Sequence, residues 1–135
     1  MSTDDLDPAS RHLGIALVSV AADRSEVRMT VTDDMTNAHG MAHGGYVFLL
    51  ADAAFAAAAN CGDVKAVAQG AQVTFCKPAY PGDELTAEAV LRASFGRNSI
   101  FDVTVRMADG SVVAEFRGQS VILSGRARPA AASAE

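Results

Sequence analysis

His43-Gly44-Gly45 followed by Tyr46–Ala59, YVFLLADAAFAAAA, is an apolar run opened by two glycines and carrying a single charge, Asp52. The composition of this run predicts one long helix over Gly45–Ala59, about 22 Å if fully formed. Phe48, Leu49, Ala51, Phe55, Ala56 and Ala59 leave it no obvious polar face, so it is expected to be buried nearly all round. Its alanines allow close backbone packing, and Asn60, Gly62 and Asp63 supply its stop. A buried carboxylate is costly unless hydrogen bonds, a partner charge or a reaction justify it. Glycines opening the helix offer free amides to an oxygen, and an acid lies about two turns further on. The pattern suits catalysis by one carboxylate beside polarising donors. A buried structural link, or a wet edge of the helix, also accounts for Asp52.

The remaining chain reads mainly as strands. Pro8 opens a short helix to His12, closed by Gly14. Ile15–Val20 and Glu26–Thr32 form a hairpin across residues 21–25. In the second strand Val27, Met29 and Val31 alternate with Glu26, Arg28 and Thr30. Asp33 to Met41 has neither period and reads as a loop. In Glu84–Phe95, the residues Leu85, Ala87, Ala89, Leu91, Ala93 and Phe95 are expected on one face. Val67–Cys76, Ser99–Met107 and Ser111–Leu123 complete the set, separated by turn signals such as Pro81-Gly82-Asp83 and Gly96-Arg97-Asn98. One buried helix among about six strands implies an α+β domain, with an antiparallel sheet curled around the helix. Its uncovered edges favour pairing between subunits.

The 135 residues fit one domain, here placed at residues 1–125, with a tail of disordered character over 126–135. With 50% hydrophobic residues and only 6% aromatics, the core is mostly aliphatic. The net charge is −5, from 11 basic and 16 acidic residues, which makes nucleic acid a poor partner. No apolar run reaches the length of a membrane span. The acidic start MSTDDLDPAS has no basic region or apolar core of a secretory signal, so a cytoplasmic setting is expected. Cys61 and Cys76 form no CxxC pair and read as reduced, incidental thiols. His12, His39 and His43, with dispersed acids, make no convincing metal set, and neither metal nor cofactor is expected.

Asn37-Ala38-His39-Gly40, His43-Gly44-Gly45 and Leu50-Ala51-Asp52-Ala53-Ala54-Phe55-Ala56 resemble the central motif of the hotdog-fold acyl-CoA thioesterases. The nearest likeness is to their phenylacetate-pathway (PaaI-like) branch. The resemblance extends from about His12 to Gly125, through Phe75-Cys76-Lys77-Pro78, Pro81-Gly82-Asp83-Glu84-Leu85 and Phe116-Arg117-Gly118. It implies a hotdog fold, a homotetramer built as a dimer of dimers, and an active site between two subunits. Asp52 of one chain would then face the His43-Gly44 region of its partner. It implies that Asp52 activates water or attacks directly, that the Gly44 amide polarises the thioester carbonyl, and that His43 and Asn37 shape the loop and place substrate or water.

The implied substrate is an acyl-CoA, with a phenylacetyl, hydroxyphenylacetyl or medium-chain acyl group. Arg97 is the first candidate for holding the coenzyme A phosphates, followed by Lys77 and Arg117. Tyr46, Val47, Leu50 and Ala54 are the expected acyl contacts. Where some relatives place a serine or threonine, this chain has Ala66-Val67-Ala68-Gln69-Gly70, and the helper role stays open between Gln69 and none. Two other functions fit the same residues: an enoyl-CoA hydratase or 3-hydroxyacyl dehydratase using His43 with Asp52, and a noncatalytic acyl-CoA binding protein.

Overall fold

The computed structural model describes residues 6–129. In chain order the elements are α1 (Pro8–His12), β1 (Ala16–Ala21), β2 (Arg24–Thr30), a 3-10 turn (Asp33–Met35), α2 (Gly44–Ala59), β3 (Lys65–Phe75), β4 (Glu84–Phe95), β5 (Asn98–Met107) and β6 (Val112–Ser124). The strands form one antiparallel sheet in the order β1-β2-β4-β5-β6-β3. After β2 the chain crosses the sheet as α2, lays β3 on the far edge, and returns to place β4 beside β2. This is the α+β hotdog arrangement, with one long helix lying in the curve of a single sheet. Among the described residues no helix is long and apolar enough to cross a membrane.

Small residues let α2 lie close to the sheet. Ala51, Ala54 and Ala58 are fully buried together with Leu50, and Phe55 is the one large ring on that side of the helix's second half. Phe55 packs edge-on against Phe101 of β5 at 5.7 Å and beside Phe116 of β6 at 5.8 Å. Gly118 makes this possible, because a Cβ there would stand 2.8 Å from the Phe55 ring. A polar link fixes the helix lengthwise: the buried Ser25 hydroxyl of β2 donates to the Ala54 carbonyl at 2.6 Å.

Two expectations change. The face of β4 holds through Leu85, Ala87 and Ala89, all fully buried, but then slips. A bulge between Leu91 and Ala93 inserts one extra residue, after which Ser94 turns inward and Phe95 is 47% exposed. The alternation fails because a bulge reverses the faces of everything beyond it. Helix α2 is likewise not buried all round. Gly45 and Ala56 are exposed, and Leu49 and Asp52 are half-buried. One sheet curves around only one side of a helix about 10–12 Å across, and the opposite stripe of this chain stays open.

The segment after β6 carries a residue to which sequence reasoning gave no role. Arg128, its side chain only 6% exposed, forms an ion pair with Asp23 of the β1–β2 turn at 2.6 Å and donates to the Ala59 carbonyl at the end of α2 at 2.8 Å. Its guanidinium also lies 5.3 Å from the centre of the Phe101 ring. Residues 130–135, the rest of the expected disordered tail, lie outside the described residues.

Removing one member of a fully buried ion pair costs roughly 3–5 kcal/mol. Asp23 keeps 34% exposure, so Arg128→Met is expected to lower unfolding stability by about 2 kcal/mol. Urea unfolding at fixed protein concentration measures this, and an unchanged midpoint would show that the latch contributes nothing.

Candidate active site

The start of α2 is set by His43. Its backbone is extended, φ −63° and ψ 135°, and its ring Nδ1 accepts from the Gly45 N–H at 3.0 Å, satisfying one of the free first-turn amides. The His43 N–H donates to Met35 O at 2.6 Å, and Ala42 N–H to Ala79 O at 2.8 Å, so the cap is tied to the 3-10 turn and to the segment before β4. Asn37 closes the preceding loop: its side-chain oxygen accepts from the amides of His39 at 2.9 Å and Met41 at 3.3 Å. His39 and His12 are exposed.

With Gly45 capped, the neighbouring Gly44 N–H has no acceptor among the described residues. Phe75, at the end of β3, lies over it. A methyl group on Gly44 would come within 2.9 Å of that ring, so glycine here lets Phe75 pack against the start of the helix. A groove of about 450 Å³ runs past this point, lined among others by Asn37, Met41, Gly44, Val47, Phe75 and Lys77.

Asp52 occupies the open stripe of the same helix. Burial pushes its carboxyl above the usual carboxylate range, and the negative charge of Asp7 adds in the same direction. Asp7 caps α1 in position, with Pro8 at the first helical residue, and accepts from the buried Ser10 hydroxyl at 2.5 Å. Its influence on Asp52 escaped the sequence reading, although Asp7-Pro8 carries a helix-start signal. Eight residues separate Gly44 from Asp52, about 12 Å along a helix axis. A reacting carbonyl needs both its oxyanion donor and the attacking group within about 3 Å. The two groups of one chain therefore cannot serve the same carbonyl.

The other expected residues are dispersed. Of the three phosphate candidates only Lys77 borders the Gly44 groove, where its ammonium donates to the Ser111 hydroxyl at 3.1 Å. Arg97 donates to the carbonyls of Ile122 and Gly125, at 3.1 and 2.7 Å. Arg117 makes a two-pronged bond to Asp102, at 2.6 and 3.0 Å, on the outer surface of the sheet. Among the expected acyl contacts, Leu50 and Ala54 are fully buried against the sheet, and Val47 is only 3% exposed. Tyr46 is half-buried. Gln69 sits at the bulge of β3 and accepts from Gln119 at 3.1 Å. Among the described residues no cluster of histidine, cysteine and acidic side chains could hold a metal ion.

A hotdog sheet, a helix opening on an unpaired amide and an acid on its open face together define a thioesterase frame. The family model described as the thioesterase superfamily matches residues 39–114. The chain is 38% identical over 119 residues to the acyl-coenzyme A thioesterase PaaI of Escherichia coli K12, covering 88% of this chain and 85% of that protein. Among solved structures, it is similar to the E. coli PaaI protein of the phenylacetic acid degradation operon, with a TM-score of 0.85, 38% identity and coverage of 88% and 86%. A variant of the phenylacetic acid degradation protein PaaI from Thermus thermophilus gives a TM-score of 0.83 at 33% identity, covering 87% of this chain and all of that one. The chain belongs to the thioesterase superfamily. Within it, the chain falls in the PaaI-like branch.

The raised carboxyl of Asp52 has a consequence for stability. The folded protein holds this proton more tightly than the unfolded chain, so stability falls as pH rises from the unfolded value through the raised one. Asp52→Asn, which cannot ionise, is expected to be more stable than the parent at neutral pH, and the difference should shrink as pH falls through that window. Thermal unfolding of both proteins across the acid range checks this. A variant less stable than the parent at neutral pH would mean that the ionised Asp52 is held by favourable contacts.

Proposed function

We propose that this protein is an acyl-CoA thioesterase of the PaaI type, acting on a small aromatic acyl-CoA, phenylacetyl or hydroxyphenylacetyl, or on a medium-chain one. The observation that carries this reading is the pairing on one helix of an uncapped Gly44 amide at its start with Asp52 on its open face. Since one chain holds these groups too far apart for a shared carbonyl, the reading requires two chains. Their helices run antiparallel, so that Asp52 of one protomer meets Gly44 of its partner. The open stripe of α2 and the largely exposed edge strand β3, where Val67 is 44% exposed, are the surfaces that a second copy would cover. The complete assembly in this proposal is a homotetramer of two such dimers.

In this site the thioester oxygen accepts a hydrogen bond from the Gly44 N–H, helped by the helix dipole. Asp52 then takes a proton from water, and the water oxygen bonds to the carbonyl carbon. The resulting oxyanion rests on the Gly44 amide. Its collapse breaks the carbon–sulfur bond, and the thiolate leaves with the proton returned by Asp52. The alternative is direct attack by the carboxylate, giving an anhydride that water opens. A raised pKa makes Asp52 the stronger base and suits the first route. Coenzyme A thiols ionise near about 8.5, so departure needs no dedicated acid. His43 and Asn37 serve by holding the cap and the loop, and Lys77 is the cation best placed for a coenzyme A phosphate. A cytoplasmic setting belongs to the same proposal, supported by the free thiols of Cys61 and Cys76.

Release of free thiol from phenylacetyl-CoA and a series of aliphatic acyl-CoAs tests the reading. Asp52→Asn is expected to lose at least about a hundredfold in kcat while keeping its assembly and most of its substrate affinity. Retention of more than about a tenth of the parent kcat would remove Asp52 from the chemistry. Enoyl-CoA formed without thiol release would replace hydrolysis with dehydration, and saturable binding without turnover would replace it with a binding role.

Native mass measurement tests the shared site. A dimer or tetramer is expected, and Val67→Lys on β3 should lower assembly and activity together. A fully active monomer would defeat the arrangement.

A further inference from the structure

Just beyond β3 the backbone leaves the regular ladder. The N–H groups of Cys76 and Lys77 both donate to Val113 O, at 2.7 and 3.2 Å, so two successive residues oppose one residue of β6. This is the pattern of a bulge, which re-aims side chains. The Lys77 ammonium reaches Ser111, just ahead of β6, while the same side chain lines the Gly44 groove. Ser111 is itself fixed by the β5–β6 turn. Met107 N–H donates to Ser111 O and Gly110 N–H to Met107 O, both at 2.9 Å, and Arg106 braces the turn by donating to Gly110 O at 3.0 Å. Asp109 accepts twice from Ser111, from its N–H at 2.9 Å and from its hydroxyl at 2.6 Å.

A serine hydroxyl has one proton to give. With that proton committed to Asp109, the Ser111 oxygen meets the Lys77 ammonium at 3.1 Å as an acceptor, and the carboxylate stands one step behind it. Among the described residues no carboxylate forms an ion pair with Lys77. Arg117 is the opposite case, its charge answered by the two-pronged bond to Asp102. An ammonium carries three donors, so one bond to Ser111 leaves two for an anion in the groove. We propose that Ser111 is a positioning residue: backed by Asp109, its hydroxyl holds the Lys77 ammonium at the Gly44 groove for a phosphate of coenzyme A, and so sets a preference for coenzyme A thioesters over thioesters without phosphate. The inference rests on the thioesterase reading and adds to it the residues that aim the cation. A lysine side chain is rich in rotamers, and fixing its head before the substrate arrives removes part of the ordering cost from binding.

The test compares kcat/KM for phenylacetyl-CoA with kcat/KM for phenylacetyl-pantetheine, which carries the same thioester and no phosphate. Lys77→Met is expected to lower the ratio of the two by about tenfold and Ser111→Ala by about threefold, the first losing a charge-assisted bond and the second only its brace. In the Lys77→Met protein, Ser111→Ala should lower the ratio no further. Ser111→Thr, which keeps the hydroxyl, should restore the parent ratio. A merely structural role of Ser111 would change both thioesters alike. The proposal fails if either single variant leaves the ratio unchanged, or if Ser111→Ala lowers it equally with and without Lys77. A parent that cleaves neither thioester overturns the thioesterase reading instead, and equilibrium binding then decides the role of Ser111 separately. There Ser111→Ala should weaken coenzyme A by about threefold and leave pantetheine unchanged. Equal weakening of both, or of neither, would overturn it.

Discussion

The close seating of α2 on the sheet is the constraint on which the rest depends. Three buried alanines and the Phe55–Gly118 contact bring helix and strands together, and the Ser25 hydroxyl pins the helix lengthwise through the Ala54 carbonyl. A helix held this firmly fixes two things at once: the direction of its first free amide and the rotation that puts Asp52 on the open stripe. Interiors are packed like crystals, so a shift at Phe55 would be transmitted rather than absorbed. The chemistry needs donors and acid held to within fractions of an ångström, and this packing is what can supply such placement.

The sequence made much of this frame visible, for identifiable reasons. Strong periodicity marked β2, and glycine-containing turns separated β4, β5 and β6. The helix announced itself by length and by its apolar run. What was not legible depended on partners distant in sequence. The bulge after Leu91 leaves no local mark, so the outward turn of Phe95 could not be read. Which helical residues face the sheet is decided by the strands opposite, and an all-apolar helix gives no polar face from which to infer it. Leu50 and Ala54 therefore looked like acyl contacts although they belong to the core.

The site shows the same division. The positions of His43, Gly44 and Asp52 on α2 were legible because a helix start and a lone charge in an apolar run mark them. Arg97 and Arg117 looked available as cations, yet each is engaged by groups far away in the chain: the carbonyls of Ile122 and Gly125 for one, Asp102 for the other. Arg128 is the reverse case. It stands in a stretch of alanine, proline and arginine that resembles a loose tail, and only the fold brings Asp23, Ala59 and Phe101 around it.

The order of strands also has a consequence for the growing chain. Strand β3 ends at Phe75, and its neighbour β6 begins only at Val112. During synthesis about forty residues must be added before β3 can find its partner, a delay of roughly 2–8 seconds at ordinary elongation rates. Throughout that interval both edges of β3 lack a strand within the chain, and the hydrogen-bonding groups of Lys65–Phe75 are open to pairing with other nascent chains. Gly70, in the middle of the segment, weakens it as a template for such pairing. The glycine in the late-paired strand thus matters most before β6 has arrived.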